Sequence, residues 1–351
     1  MTSSNATSAL SGPPEPPDDL IAALVGDGRP LLLCSALMLA FSGGFAVFLS
    51  ISGDFLPHDL DFLGMTADEL CRLHGCRIVK FMIHDRLAFG GALLAVAVLY
   101  AWLTLFPLQR GEAWAWWALA LSGLVGFGSF LAYLGYGYLD TWHGVASLLL
   151  LPLFTVGLWQ TRERRFLPNG LATLLAPGWV PRSWLKRAGL GRLFLLATAV
   201  GMVAAGATIL AVGATRVFVP EDLAFVGLNR AALDAINPRL IPLIAHDRAG
   251  FGGAVCTTGL LVLVIVWKAA PSRSAWQAIL MSGLCGFGAA IGVHYPIGYT
   301  TLSHIAPAWA GAGLFLVGLF LSRPTYWMHG DVDSPHALRS DTWPPTPGGS
   351  S

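Results

Sequence analysis

The residues with the clearest chemical capacity form a His-Asp-Arg triplet that occurs twice, as His84, Asp85 and Arg86 and again as His246, Asp247 and Arg248. Apolar runs precede both, and glycine-rich runs follow in "HDRLAFGG" and "HDRAGFGG". Three ionisable side chains in a row within apolar sequence are costly unless they pair with one another or face a wet cavity. An imidazole ligates metals or carries protons, a carboxylate orients an imidazole, and a guanidinium grips carboxylates or phosphates. On a helix, residues two apart point nearly opposite ways, so His84 and Arg86 cannot both hold one ligand unaided. His84 shares its stripe with Ala88 and Gly91, and His246 shares its stripe with Gly250 and Gly253. Such lanes admit a close helix neighbour or a flat cofactor.

A second pair of histidines, His143 and His304, opens a later apolar stretch in each half of the chain, shortly after Tyr138 and Tyr299. Helices entering at these points bring His84, His143, His246 and His304 to one height. These four are the candidate cofactor or metal ligands, with Arg86 and Arg248 as partners for acidic cofactor groups. Asp85, Asp247, Tyr138 and Tyr299 are the supporting groups. The competing structural reading is that the triplets only cap helices and salt-bridge a neighbouring loop.

As a site, the set fits three chemistries. Paired imidazoles from bundle helices ligate haem b axially, passing electrons to or from a quinol. Histidines with Asp85 or Asp247 hold a transition metal, zinc or copper, for chemistry on a quinone or lipid headgroup. Charges lining a path between the halves make a transporter, although such sites usually sit at the membrane midplane. A non-catalytic accessory subunit of a membrane complex is the remaining alternative. His294 has no counterpart in the first half, where Leu134 stands, and it reads as a satisfied interior histidine.

These side chains need elements to hold them, and the composition says which. Apolar residues make up 55% of the 351-residue chain and charged ones 12%, with a mean hydropathy of +0.63. A soluble domain carries about 25% charged residues. Too few charges remain here to coat a water-facing surface, which excludes a soluble enzyme or a nucleic-acid binder. The expected fold is all-α, a polytopic integral membrane protein surrounded by lipid bilayer. Eight stretches approach the roughly 20 residues that a spanning helix needs: 31–53, 87–106, 113–139, 144–161, 193–215, 249–267, 274–303 and 305–322.

Four sequence blocks recur at a nearly constant offset. "FLPHDLDFLGM" at 55–65 returns as "FVPEDLAFVGL" at 218–228, the His-Asp-Arg run returns 162 residues on, "SGLVGFG" at 122–128 returns as "SGLCGFG" at 282–288, and Gly137-Tyr138 with His143 returns as Gly298-Tyr299 with His304. The chain therefore reads as two tandem four-helix repeats, 31–160 and 193–322. An even number of spans gives both the same topology, related by an axis along the membrane normal. Two bundles side by side is the simplest arrangement. Loops 54–83 and 216–245 form folded outer caps, in which Asp59 and Asp222 cap short helices. Segment 161–192 is a cytoplasmic connector. Segments 1–30 and 323–351, rich in Ser, Pro, Gly and Asp, read as disordered cytoplasmic tails.

Lysines and arginines number 13 on the side of the termini and 6 on the other, which places both termini in the cytoplasm of a multi-pass cell-membrane protein. Of five cysteines, Cys34, Cys256 and Cys285 fall within spans, while Cys71 and Cys76 sit in the first outer loop. A disulfide between the latter two is favoured over metal ligation with His74, because the second half lacks both cysteines.

Overall fold

The computed structural model describes residues 26–131, 135, 138, 141–162 and 170–328, for 141–143 and 328 the backbone only. Of the expected tails only residues 26–30 and 323–328 are described, and helices take up 29–30 and 323–328, so these are not tail; the rest of the tails, Leu134 and the His143 side chain lie outside the described residues. Helices are α1 (Arg29–Ser52), α2 (Pro57–Leu63), α3 (Ala67–His74), α4 (Arg77–Leu105), α5 (Ala113–Leu131), α6 (Thr141–Gln160), α7 (Arg187–Ala214), α8 (Pro220–Val226), α9 (Arg230–Ile236), α10 (Leu240–Lys268), α11 (Arg273–Gly292), α12 (His294–Ile297) and α13 (Leu302–Met328). No strand occurs among the described residues.

Among the described residues, seven helices are long and apolar enough to cross a membrane. In α6 the apolar stretch is shorter, Gly144–Gln160. The expected span 274–303 is not continuous. α11 ends at Gly292, one turn follows as α12, Gly298 closes it with a left-handed φ of 79°, and α13 begins at Leu302. Pro296 lacks the N–H an ongoing helix needs, and glycine carries no Cβ to oppose positive φ. This break moves His294 from the interior of a span to its end.

α4 and α10 form the buried centre, and they are the most enclosed of the apolar helices. α1 lies along α4, and α7 along α10. Glycines permit this closeness: a Cβ on Gly43 would stand 2.7 Å from the Gly90 carbonyl, and one on Gly206 would stand 2.2 Å from the Cys256 nitrogen. The third helices cross over. α5 packs on α10 far more than on α4, and α11 packs on α4 far more than on α10. The arrangement is thus interleaved, not two bundles side by side, because the small-residue faces of α4 and α10 each accept a helix from the opposite half.

The segments between α1 and α4 and between α7 and α10 fold as helix pairs, α2–α3 and α8–α9, and end sooner than the expected loops because α4 and α10 already begin at Arg77 and Leu240. The Asp59 carboxylate accepts from the Leu56 N–H at 3.2 Å, and Asp222 from the Val219 N–H at 2.8 Å, satisfying orphan donors at the starts of α2 and α8. The caps lock together. Asn237 donates to the Leu63 carbonyl at 2.8 Å, Arg239 to Phe62 at 2.6 Å, and His74 to Val226 at 2.9 Å. A disulfide joins Cys71 to Cys76, so His74 serves the cap interface. At the opposite end, Arg192 is buried among the rings of Trp179, Trp184 and Trp267 and donates to the carbonyls of Trp179 and Trp267.

Candidate functional site

The His-Asp-Arg triplets lie within α4 and α10, two turns in from the cap end. Each arginine bridges the two halves. Arg86 donates through Nε to Asp247 at 2.7 Å and through Nη1 to Asp59 at 2.6 Å. Arg248 donates through Nε to Asp85 at 3.1 Å and through Nη1 to Asp222. Tyr138 donates to Asp59 at 2.6 Å, and Tyr299 donates to Asp222 at 2.9 Å. Each loop aspartate therefore caps its helix, receives an arginine and receives a tyrosine. The arginines expected to meet an acidic cofactor group are engaged by internal carboxylates instead.

Outside the spans, two groups feel this network. Burial pushes the Asp59 carboxyl up, but Arg86 and Tyr138 outweigh it and hold its pKa below the ordinary value. The Tyr299 phenol is pushed well above its usual pKa, first by burial and then by the Asp222 carboxylate. Both shifts favour the state drawn here, an ionised aspartate accepting from a neutral phenol.

With Arg86 facing away, the other side of α4 presents His84 to α12 and α13. His84 Nδ1 lies 2.9 Å from Asp85 Oδ1, and His84 Nε2 lies 3.1 Å from His294 Nε2. One donor atom each from His84, His294 and His304 lies within 4.8 Å of the others. His84 and His294 are 5% and 4% exposed, and His304 is half-buried. Tyr299 stacks on the His304 ring, with centroids 4.0 Å apart and planes 17° off parallel, which fixes that imidazole from one face. His294 Nδ1 is buried.

No protein-family model, curated protein or solved structure matches the chain. The side chains themselves must carry the functional reading.

Three of the four expected histidines, His84, His246 and His304, have described side chains. His84 and His304 meet, across the halves and not within one. His246 lies apart from them, against Tyr138 at 5.1 Å and Phe130 at 6.2 Å between ring centroids. The third member of the cluster is His294, which hydropathy alone assigns to a span interior. Its signal in the sequence is the neighbouring Pro296 and Gly298, which mark a helix end at the level of His304.

The glycine lanes accommodate helices. A Cβ on Gly91 would stand 2.2 Å from the Ala289 Cβ, and one on Gly253 would stand 1.8 Å from the Ser129 Oγ. α11 fills the lane below His84, which leaves it without the width of a macrocycle, whereas α5 closes the lane below His246 only at Gly253.

Proposed function

We propose that this is an eight-span, internally duplicated membrane protein that holds a transition metal through His84, His294 and His304 near its non-cytoplasmic face. In this reading α6 is the fourth span, halves 31–160 and 193–322 are parallel repeats, and both termini are cytoplasmic. Convergence of three imidazoles, two buried and one half-buried, with one of them oriented by a carboxylate, is the observation that carries it. A tetrahedral ion with metal–nitrogen bonds of about 2.0–2.1 Å separates its ligand atoms by roughly 3.3 Å. The 3.1 Å between the His84 and His294 nitrogens is close to that edge. Three protein ligands leave a fourth position open, as in catalytic rather than structural sites.

Asp85 supplies the outer partner that metal-ligating histidines usually have. It accepts a hydrogen bond from the Nδ1–H of His84, leaving the Nε2 lone pair facing His294. Arg248 fixes Asp85 in turn, and Asp222 fixes Arg248. A bound transition metal supplies Lewis-acid or electron-transfer chemistry, here for a quinone or lipid substrate reaching the site from the bilayer. The filled lane below His84 favours a bare metal over haem b at this site. Elemental analysis and absorbance of detergent-purified protein test this. The expected result is about one zinc, copper or iron per chain, no Soret band, and background metal in the folded His294→Ala protein. Metal-free folded protein overturns the reading.

A further inference from the structure

On the face of α4 opposite the histidine triad, a cavity of about 470 Å³ runs between α1, α4, α5, α6 and α10. Its polar end is formed by His58, Asp59, Arg86, His246 and Asp247, and the remainder is mostly apolar. Cavities of this volume are typical of small-molecule sites. Two lining residues on α1, Ser42 and Phe45, are exposed, so the cavity is open and not sealed inside the bundle.

Thr257 also lines the cavity, is 2% exposed, and its Oγ1 has no hydrogen-bond partner. Its neighbour Thr258 makes the usual helix back-bond, to Ala254 at 2.8 Å. A buried hydroxyl without a partner costs free energy, and a hydrocarbon chain lying at this end does not repay it. Thr257 lies about 16 Å along the helix from His246, so the cavity is long as well as polar at one end.

The geometry points to a binding site for a neutral quinone or quinol, headgroup at the Arg86–Asp247 end and tail along α10 toward Thr257. Charge selects this class. At the polar end two carboxylates face one guanidinium, and Arg86 is already shared between both. A fatty acid, a phospholipid phosphate or the propionates of haem would add negative charge there. A neutral head that accepts from Arg86 or a histidine, and donates to a carboxylate when reduced, adds none. This inference rests on the proposal of a membrane-soluble substrate, but its test is separable from the metal.

Full-length protein in nanodiscs is titrated with decylubiquinone, with oleate and monoolein as competitors, and metal content is measured on the same samples. Saturable one-to-one binding is expected, displaced by neither lipid. Thr257→Val, which preserves volume and replaces a hydroxyl that the tail cannot bond by a methyl group, should leave binding equal or tighten it by up to about fivefold, and weakened binding would place the headgroup at this end instead. Ala254→Phe and, from the α6 side, Ser147→Phe should each weaken it at least about tenfold by filling the cavity, with metal retained. Absent binding in metal-loaded protein, unchanged affinity in folded Ala254→Phe and Ser147→Phe proteins, displacement by oleate, or a Soret band would each overturn the assignment. Quinone binding by metal-free protein would overturn only the metal.

Discussion

His84 Nε2 and His294 Nε2 face each other at 3.1 Å although 210 residues separate them in the chain. Two imidazole nitrogens at that distance cannot both present lone pairs, which repel, nor both present protons, which clash. One proton or one cation must lie between them. The helix break at Gly292–Gly298 creates the meeting, because it brings His294 to the end of α11 and starts α13 in time to present His304.

Asp85 decides which nitrogen of His84 is available, so its loss should show in metal affinity before it shows in folding. Asp85→Asn keeps the shape but offers a weaker acceptor to His84 Nδ1 and to Arg248. Outer-partner mutations of this kind typically cost 10–100-fold in metal affinity. Chelator competition should find a weakening in that range for Asp85→Asn. An affinity equal to that of the unaltered protein would show that the carboxylate does not orient a ligand.

Arg86 joins the first cap to α10 through Asp59 and Asp247, with both partners buried or nearly so. Arg86→Met retains the stem but leaves two carboxylates without their cation. Removing one member of a buried pair costs about 3–5 kcal/mol. Thermal unfolding in detergent should therefore fall steeply in Arg86→Met, and Asp247→Leu added to it should recover part of the loss. A single substitution that melts with the unaltered protein would assign the network little stabilising weight.

The fold's ingredients were largely legible because lipid imposes them: long apolar runs must be helices, and recurring blocks give matching elements. The His-Asp-Arg triplets stood out because charge inside apolar sequence demands partners. Which partners they find was not legible. Glycine lanes at Gly91 and Gly253 fit a flat cofactor or a neighbouring helix equally well, and only the docking of α11 and α5 decides. His294 was misplaced because hydropathy carries straight through "GVHYPIGY", although Pro296 and Gly298 end the helix there. The crossing of α5 and α11 to opposite partners depends on surface fit between distant segments, and one-dimensional patterning does not encode that.

Acid should loosen the first cap. The pKa of Asp59 is held below its ordinary value in the folded protein, mainly by Arg86 against the opposing effect of burial. A depressed carboxylate contributes stability that is fully present above its unfolded pKa, about 3.9. The contribution is lost as pH falls below that value toward the folded pKa. The protection of α2 amides against hydrogen exchange, taken relative to their intrinsic rates at each pH, should fall below about pH 4 in the native protein. Asp59→Asn should lack that acid-dependent step and exchange faster at neutral pH. An acid response identical in both would place the titration elsewhere.

The triad also depends on how closely α11 approaches α4, and Gly91 sets that distance. A methyl group there would stand 2.2 Å from the Ala289 Cβ and 2.8 Å from the Cys285 carbonyl, so the helices must separate. Overpacking of this kind costs about 1–3 kcal/mol. Because α12 and His294 follow directly from α11, the separation also draws His294 away from His84. Gly91→Ala should lower both thermal stability and metal occupancy. Gly44 is the control: it lies inside α1, a methyl group on it would meet no atom within 4 Å, and alanine improves helix propensity by up to about 1 kcal/mol. Gly44→Ala should leave metal occupancy unchanged and stability equal or higher. Equal metal loss in both variants would mean that helix chemistry in general, and not the α4–α11 contact, governs the site.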